Sequence, residues 1–514
     1  MERELLDKEV LCILDTRQIQ RYMFRSNTFL DTVGGSDLLV HILDDAIRDA
    51  MQSIDTPLSK EEYALSQEPD VSAIPYFTSE KVKFQLIICT AGNALAIVRT
   101  GALCQKIIRK ISRYYLDHGY SLNITAAVVE KTDNLGNDIF NLYRKLNNIK
   151  AASDISDPLE ALPVIMRERH TGDPVVAFDK ESGDYVSRAS VIRRIEAKKR
   201  KQLFDIKDIR TTQTRDKTSY LAYIHADGNN IGISIGRILQ ETPDYIEGII
   251  TRRLINRNIE QAYRKVMDRT VEGLLDYYLN RGGAEKDFSR EFQLIHRAGD
   301  DINIVCNAGL AFVFLDLFYD NLEGVNIWDK DEIYIPLYVC MGISFVSPES
   351  SFHAAFNLAQ ECCESAKTAA KKEWNLHDGM AGSWIDFQIC DNPNVQDLDM
   401  LRERSYHTPE GIDLMLRPYS KDRADRGRTF SFDALADRVS VLRQLRLSDR
   451  QTNELRQSYT MGRVDYTLWI RKMKEKGFNL TELLGEPLFT DPEKGLHAVW
   501  FDAVEILDLM PAQR

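Results

Sequence analysis

Apolar positions along the first 130 residues change period several times, and each change predicts an element. Residues 9–15 (EVLCILD) carry an apolar run of strand length, and GGSDLLVHILDDAI from Gly34 has helical spacing that opens after two glycines. Two further apolar runs, FQLIICT and LAIVRT, are joined by AGNA and read as a β-hairpin. LCQKIIRKISRYYL returns to helical spacing, and LNITAAVVE closes with a strand. The order is βαββαβ.

The same order recurs from residue 220. YLAYIHAD predicts a strand, IEQAYRKVMDRTVEGLLDYYL a helix, FQLIHR and INIVC a hairpin turning on AGDD, and AGLAFVFLDLFYDNL a helix. IYIPLYVCMGISFV then reads as one strand and FHAAFNLAQECCESAKTAAKKEW as a long amphipathic helix. Phe84-Gln85-Leu86-Ile87 stands before AGNALAIV, and Phe292-Gln293-Leu294-Ile295 stands one residue closer to AGDDINIV, so the repeat is visible in the residues themselves. Two βαββαβ copies predict an α+β fold of two ferredoxin-like domains, each an antiparallel sheet with helices on one face. The domains predicted are 1–150, the copy lacking an acidic pair; 151–216, a charged linker containing TGDP and IRTTQTRDK; 217–392, the second copy; and 393–514, a helical C-terminal region punctuated by PEG, RPYS and EPLFTDPEKG.

Chemistry enters where the copies differ. The first hairpin tip is AGNA and the second AGDD, so Asp300 and Asp301 have no acidic counterparts in the first copy. In this fold the end of the first strand lies beside the tip of the central hairpin, which predicts that Asp227 of HADGNN faces both. Three carboxylates brought together repel unless a cation neutralises them, and an all-oxygen donor set suits Mg²⁺ or Mn²⁺. The predicted metal ligands are Asp227, the Gly228 backbone, Asp300 and Asp301, the three aspartates being the catalytic set. Gly228 permits close approach of a phosphate and Gly299 permits the tight turn; with Asn229, Lys367 and Lys371 they make up the predicted nucleotide-binding residues. Lys367 and Lys371 lie one turn apart on the same helix face, where they either hold triphosphate or are solvated lysines near a helix C-terminus. Taken singly, HADGNN and AGDD are ordinary turns; together, on corresponding ends of one βαββ unit, they point to metal-assisted nucleotidyl transfer. His225 and His296 flank the motifs and are read as lining the sheet rather than as bases or ligands.

Bulk properties narrow the field. A 514-residue chain predicts several domains, and a net charge of −12 argues against a general nucleic-acid coat. The basic run RRIEAKKRK from Arg193 to Lys201 reads as a solvated helix face. Mean hydropathy of −0.33, no apolar stretch of bilayer length and a charged start, MERELLDKEV, predict a soluble cytoplasmic protein with no membrane partner. The 8 cysteines lack any C-x-x-C pair, which predicts reduced core residues and no zinc.

At this point the residues resemble a known family, the polymerase-like large subunit of type III CRISPR effector complexes, above all its second palm domain. DTRQIQRYMFRSNTFLDTVGGSDLL resembles that family's N-terminal palm opening; TGDP, YIHADGNNIG, RAGDDINIV, SAKTAAKK and MLRPYS follow in the family's order. The resemblance implies two palms, the second using ATP to make cyclic oligoadenylate as an antiviral messenger. Ala298 departs from the family's GGDD motif at its first glycine, and Asn229 stands where related cyclases carry an acid. An HD nuclease motif and a paired-cysteine zinc module are not found, which suits a shortened or standalone relative, controlled by a guide-RNA complex, a separate sensor or an oligomer. Rival readings are a non-catalytic nucleotide- or RNA-binding scaffold subunit and a GTP-using cyclase.

Overall fold

The computed structural model describes all residues except 1–2, 27, 91, 153–163, 201–207, 216, 329–333, 375–381, 392–396, 422–429, 479, 481–487, 492–494 and 512–514. Parts of the predicted linker and of EPLFTDPEKG, with Ala91 and Lys201, therefore lie outside the described residues. Two compact units emerge, neither continuous in sequence: Met1–Leu203 with Asn230–Arg264 and Asn326–Pro336, and Phe204–Asn229 with Lys265–Val325 and Leu337–Arg514. Both are mixed α and β.

The first unit starts with β1 (Val10–Arg17), α1 (Ile19–Phe24) and α2 (Phe29–Ser53), then β2 (Tyr63–Ala64), the hairpin of β3 (Phe84–Thr90) and β4 (Asn93–Val98), α3 (Gly101–Tyr114), β5 (Asn123–Glu130) and α4 (Leu135–Ala152). The sheet order is β2-β3-β4-β1-β5, with β1 antiparallel to both β4 and β5. Helix α2 starts five residues before the predicted Gly34, capped by the Thr28 side chain, which accepts from the Asp31 amide. Gly34 and Gly35 lie inside it. Gly34 serves packing, since a Cβ on it would overlap the Arg193 carbonyl of α5 (Arg188–Ala197), which follows the ribbon of β6 (Val175–Asp179) and β7 (Asp184–Ser187). The basic run is thus not a solvated face over its first residues. Arg193 and Arg194 are buried, Arg193 over the Tyr22 ring and Arg194 donating to Asp31 and Asp179, because α5 is clamped against α2.

The second unit opens with β8 (Thr212–Gln213) beside β9 (Ser219–Gly228). The chain then forms α6 (Ile231–Glu241) and α7 (Tyr245–Asn280), of which Leu239, Tyr245 and Ile249 join the first unit's core, before returning to the hairpin of β10 (Phe292–Ala298) and β11 (Asp301–Asn307) and helix α8 (Ala308–Leu322). The predicted strand IYIPLYVCMGISFV is split. After β12 (Asn326–Trp328), its front forms β13 (Tyr334–Pro336), and Pro336, which has no N–H to donate, precedes the break before β14 (Val339–Val346). Helix α9 (Phe352–Trp374) follows, then β15 (Trp384–Cys390), and the sheet runs β10-β11-β9-β14-β15-β16 with β16 at Tyr419–Ser420. Beyond it the described chain is mainly helical.

Helix α9 lies on the face of the sheet that carries Tyr223, His225 and Asp227. The Tyr223 ring meets Phe352 and Phe356 edge-on, Ser344 Oγ donates to the Ala355 carbonyl at 2.7 Å, and Cys363 Sγ donates to the Cys340 carbonyl at 3.3 Å. Gly342 makes this closeness possible, because a Cβ there would overlap the Ala359 carbonyl and the Cys363 amide nitrogen. Near the start of β15, Asp386 accepts from Arg402, and buried Arg417 reaches Glu505 at 3.0 Å and Asp502 at 3.7 Å, while Tyr419 donates to Asp502 at 2.7 Å. Among the described residues all 8 cysteines are free and all but Cys89 are buried; burial pushes the Cys89 and Cys340 thiols up to about 12. No helix among them is long and apolar enough to cross a membrane.

Replacing Gly342 by alanine puts a methyl group into backbone atoms that cannot swing aside. Equilibrium denaturation of Gly342→Ala is expected to show a loss of about 1–3 kcal/mol; unchanged stability would mean that α9 is free to lift from the strand.

Candidate active site

The aspartates are placed by register. β9 pairs with β11 through Ala226↔Ile302 and His225↔Asn303, so the next position on that ladder sets Asp227 beside Asp301. The hairpin closes at Ala298↔Asp301, leaving Gly299 and Asp300 as a two-residue loop. Gly299 has φ of 64°, a conformation glycine adopts without penalty, and a Cβ there would meet nothing. Across β9, Cys340 pairs with Asp227 and lies under α9, which brings Lys367 onto the Asp227 carboxylate.

These charges are coupled. Burial first, then the nearby charges of Asp227 and Asp301, push the Asp300 carboxyl up to about 6 from an ordinary 3.8. Burial works against the Lys367 ammonium, yet Asp227 outweighs it and the lysine holds its proton more tightly than usual. Glu364 stands 3.6 Å from the same ammonium. Asp301 accepts from Asn303 Nδ2 at 2.7 Å, and Asn303 Oδ1 lies 2.8 Å from His225 Nδ1.

Of the predicted residues, Asp227, Asp300, Asp301 and Lys367 come together. Lys371 is exposed one turn further along α9. Asn229 is buried, its backbone N–H bonded to the Tyr338 carbonyl and its amide donating to Gly382, so its side chain is committed to the fold. Gly228 is paired with Val339 at the end of β9. Among the described residues no three histidine, cysteine or carboxylate groups are close enough to hold a metal, since Asp227 turns to Lys367 and Asp301 to Asn303. The donor chemistry still fits a hard cation: every carboxylate is oxygen-only, and Asp300 feels the negative charge of the other two.

Sequence reading passed over Asn303 and set His225 aside as lining the sheet. His225 does lie buried in the sheet, as expected, but it also belongs to the hydrogen-bonded chain that reaches Asp301. The signal was a polar side chain in an apolar strand, INIVC, because a buried amide needs partners.

The first sheet carries a counterpart. Asp15 pairs with Asn93 across β1 and β4, and the Asp15 carboxylate meets Lys150 of α4 at 2.6 Å. Each sheet therefore sets an aspartate near the end of one strand, β1 or β9, against a lysine from the helix that follows β5 or β14. Both hairpins also slip register at one place, Leu86/Ile88 and Leu294/His296, which equates Thr90 with Ala298 and Asn93 with Asp301. Strand pairing thus shifts the motif alignment by one residue: the counterpart of Asp300 is Gly92, not Asn93.

No family model and no curated protein matches this chain. Among solved structures it is similar to a Csm1-Csm4 cassette in complex with cA4 (13% identity, 99% of this chain and 70% of that chain, TM-score 0.46), to an apo Csm1-Csm4 cassette (12%, 100% and 71%, TM-score 0.48), and to Csm1 in T. onnurineus (13%, 99% and 70%, TM-score 0.46). At such scores the functional reading rests on this chain's own residues.

An acid whose native pKa exceeds its unfolded value binds its proton more tightly when folded. Asp300 therefore favours the native state below about pH 4, and that contribution is lost as pH rises through about 6. In metal-free buffer the unfolding free energy is expected to fall by on the order of 1–2 kcal/mol over this range, and Asp300→Asn to remove that part of the slope. A variant retaining the whole slope would place the titration elsewhere.

Proposed function

We propose that this chain is a Mg²⁺- or Mn²⁺-dependent nucleotidyltransferase that joins ATP into a cyclic (oligo)adenylate messenger for antiviral defence, releasing pyrophosphate. The supporting observation is the acid Asp300, raised by burial and by Asp227 and Asp301, on the sheet end where Lys367 also arrives. One perturbed acid among neighbouring carboxylates, beside a cationic side chain, suits metal-assisted phosphoryl chemistry. In this reading both sheets are ferredoxin-like palms, an assignment supported by the orders β3-β4-β1-β5 and β10-β11-β9-β14. The division at 1–150, 151–216, 217–392 and 393–514 separates an inactive palm, a linker, a catalytic palm and a C-terminal region. Adenine, the cyclic product, a cytoplasmic setting and a guide-RNA complex, sensor or oligomer as partner follow the sequence resemblance.

Asp227, Asp300 and Asp301, with the Gly228 carbonyl, would hold the metal, which when bound acidifies a ribose hydroxyl and neutralises charge on the departing pyrophosphate. Lys367 neutralises Asp227. Released from it, the same ammonium would hold triphosphate oxygens, with Lys371 further along the helix. Gly299 leaves the hairpin tip without a side chain, so a phosphate can approach the backbone.

Purified protein incubated with each ribonucleoside triphosphate and Mg²⁺ or Mn²⁺, followed by mass spectrometry, is expected to give cyclic or linear adenylate and pyrophosphate. Asp300→Ala with Asp301→Ala is expected to lower product at least about 10³-fold, whereas Asn93→Ala leaves it within about twofold, since Asn93 lies in the other sheet. Full activity in the double variant would sink the site; no turnover with co-purifying RNA would favour the scaffold reading.

A further inference from the structure

We infer that Asn303 is a positioning residue that orients the Asp301 carboxylate, and that His225 locks it there through its Nδ1–H. The inference rests on the catalytic reading of Asp301 and adds the group that aims it. Asn303 and His225 are register partners on neighbouring strands and both are buried, at 1% and 3% exposure, so neither amide nor imidazole is there to meet water. Asp301 and Asn303 are two residues apart on β11 and share a face, as do His225 and Asp227 on β9.

The polarity of the chain follows from its carboxylate end. A carboxylate only accepts, so the 2.7 Å contact must be Asn303 Nδ2 donating to Asp301 Oδ1. This fixes the amide orientation, and Asn303 Oδ1 is left facing His225 Nδ1 at 2.8 Å, where it can only accept. His225 therefore carries its proton on Nδ1. The same nitrogen lies 3.6 Å from Asp301 Oδ1, adding attraction without a second full bond. One end of Asp301 is thus held along the strand, which leaves its other oxygen to serve a cation. A side chain of this type behind a ligand tunes affinity by fixing the ligand's angle, with losses of about 10–100-fold when it is removed.

The test combines Mn²⁺ binding, followed by the electron paramagnetic resonance of free Mn²⁺, with ¹⁵N spectra of histidine-labelled protein. In the wild type His225 is expected as the Nδ1-protonated form. Asn303→Leu, confirmed folded by thermal melting, is expected to bind Mn²⁺ about 10–100-fold more weakly, with KM for ATP at saturating metal within about twofold and the His225 signature lost. Asn303→Ser, smaller and still polar, gives the same reading if the leucine variant does not fold. Unchanged Mn²⁺ affinity in either folded variant, or a wild-type His225 protonated only on Nε2, overturns the inference. Wild-type protein with neither Mn²⁺ affinity nor turnover would count against the catalytic reading instead, and the histidine spectrum then decides the hydrogen-bonded chain by itself.

Discussion

The second unit is organised by a backbone contact. Helix α9 can lie against β14 because Gly342 has no side chain, and the rest of that face follows. The helix register set there puts Phe352 and Phe356 against Tyr223 at one end and Lys367 over Asp227 at the other. An interior packed this tightly transmits small displacements, so the lysine is positioned by a contact far along the same helix.

Much of this was legible in the sequence. The periodicity of 84–98 and 292–306 marked both hairpins, and the difference between AGNA and AGDD marked the end where the acids gather. What escaped reading was of two kinds. Close packing is silent in one dimension: Gly34 looked like a helix start and proved to be a seat for the Arg193 carbonyl, while Arg193 and Arg194 looked solvated because their partners Tyr22, Asp31 and Asp179 are distant in sequence. Register is equally silent, since the letters AGNA and AGDD align naturally although strand pairing places Asn93 opposite the role of Asp301. Asn303 combined both problems.

Repetition of an aspartate–lysine pair in the two sheets separates what the architecture supplies from what the chemistry needs. Asp15 with Lys150 and Asp227 with Lys367 occupy corresponding places, and each pair alone is a neutral, self-satisfied contact. Only the second sheet adds Asp300 and Asp301, turning a balanced pair into a site with surplus negative charge. Burial first, and then the charges of Asp227 and Asp301, raise Asp300, and the surplus negative charge is the electrostatic opening for a cation.

The buried Arg417 cluster bears on how the protein is made. Arg417 finds its carboxylate at Glu505, separated by 88 positions along the chain, and both lie where water cannot stand in for the missing partner. A ribosome extending the chain has therefore exposed Asp227, Asp300, Asp301 and Lys367 well before the unit carrying them can close over its own charges. Nascent chains that have passed Asp301 and Lys367 but not Asp502 hold the whole aspartate cluster and still lack the counterions of Arg417, which ties closure around that buried guanidinium to a segment far beyond the hairpin in the chain.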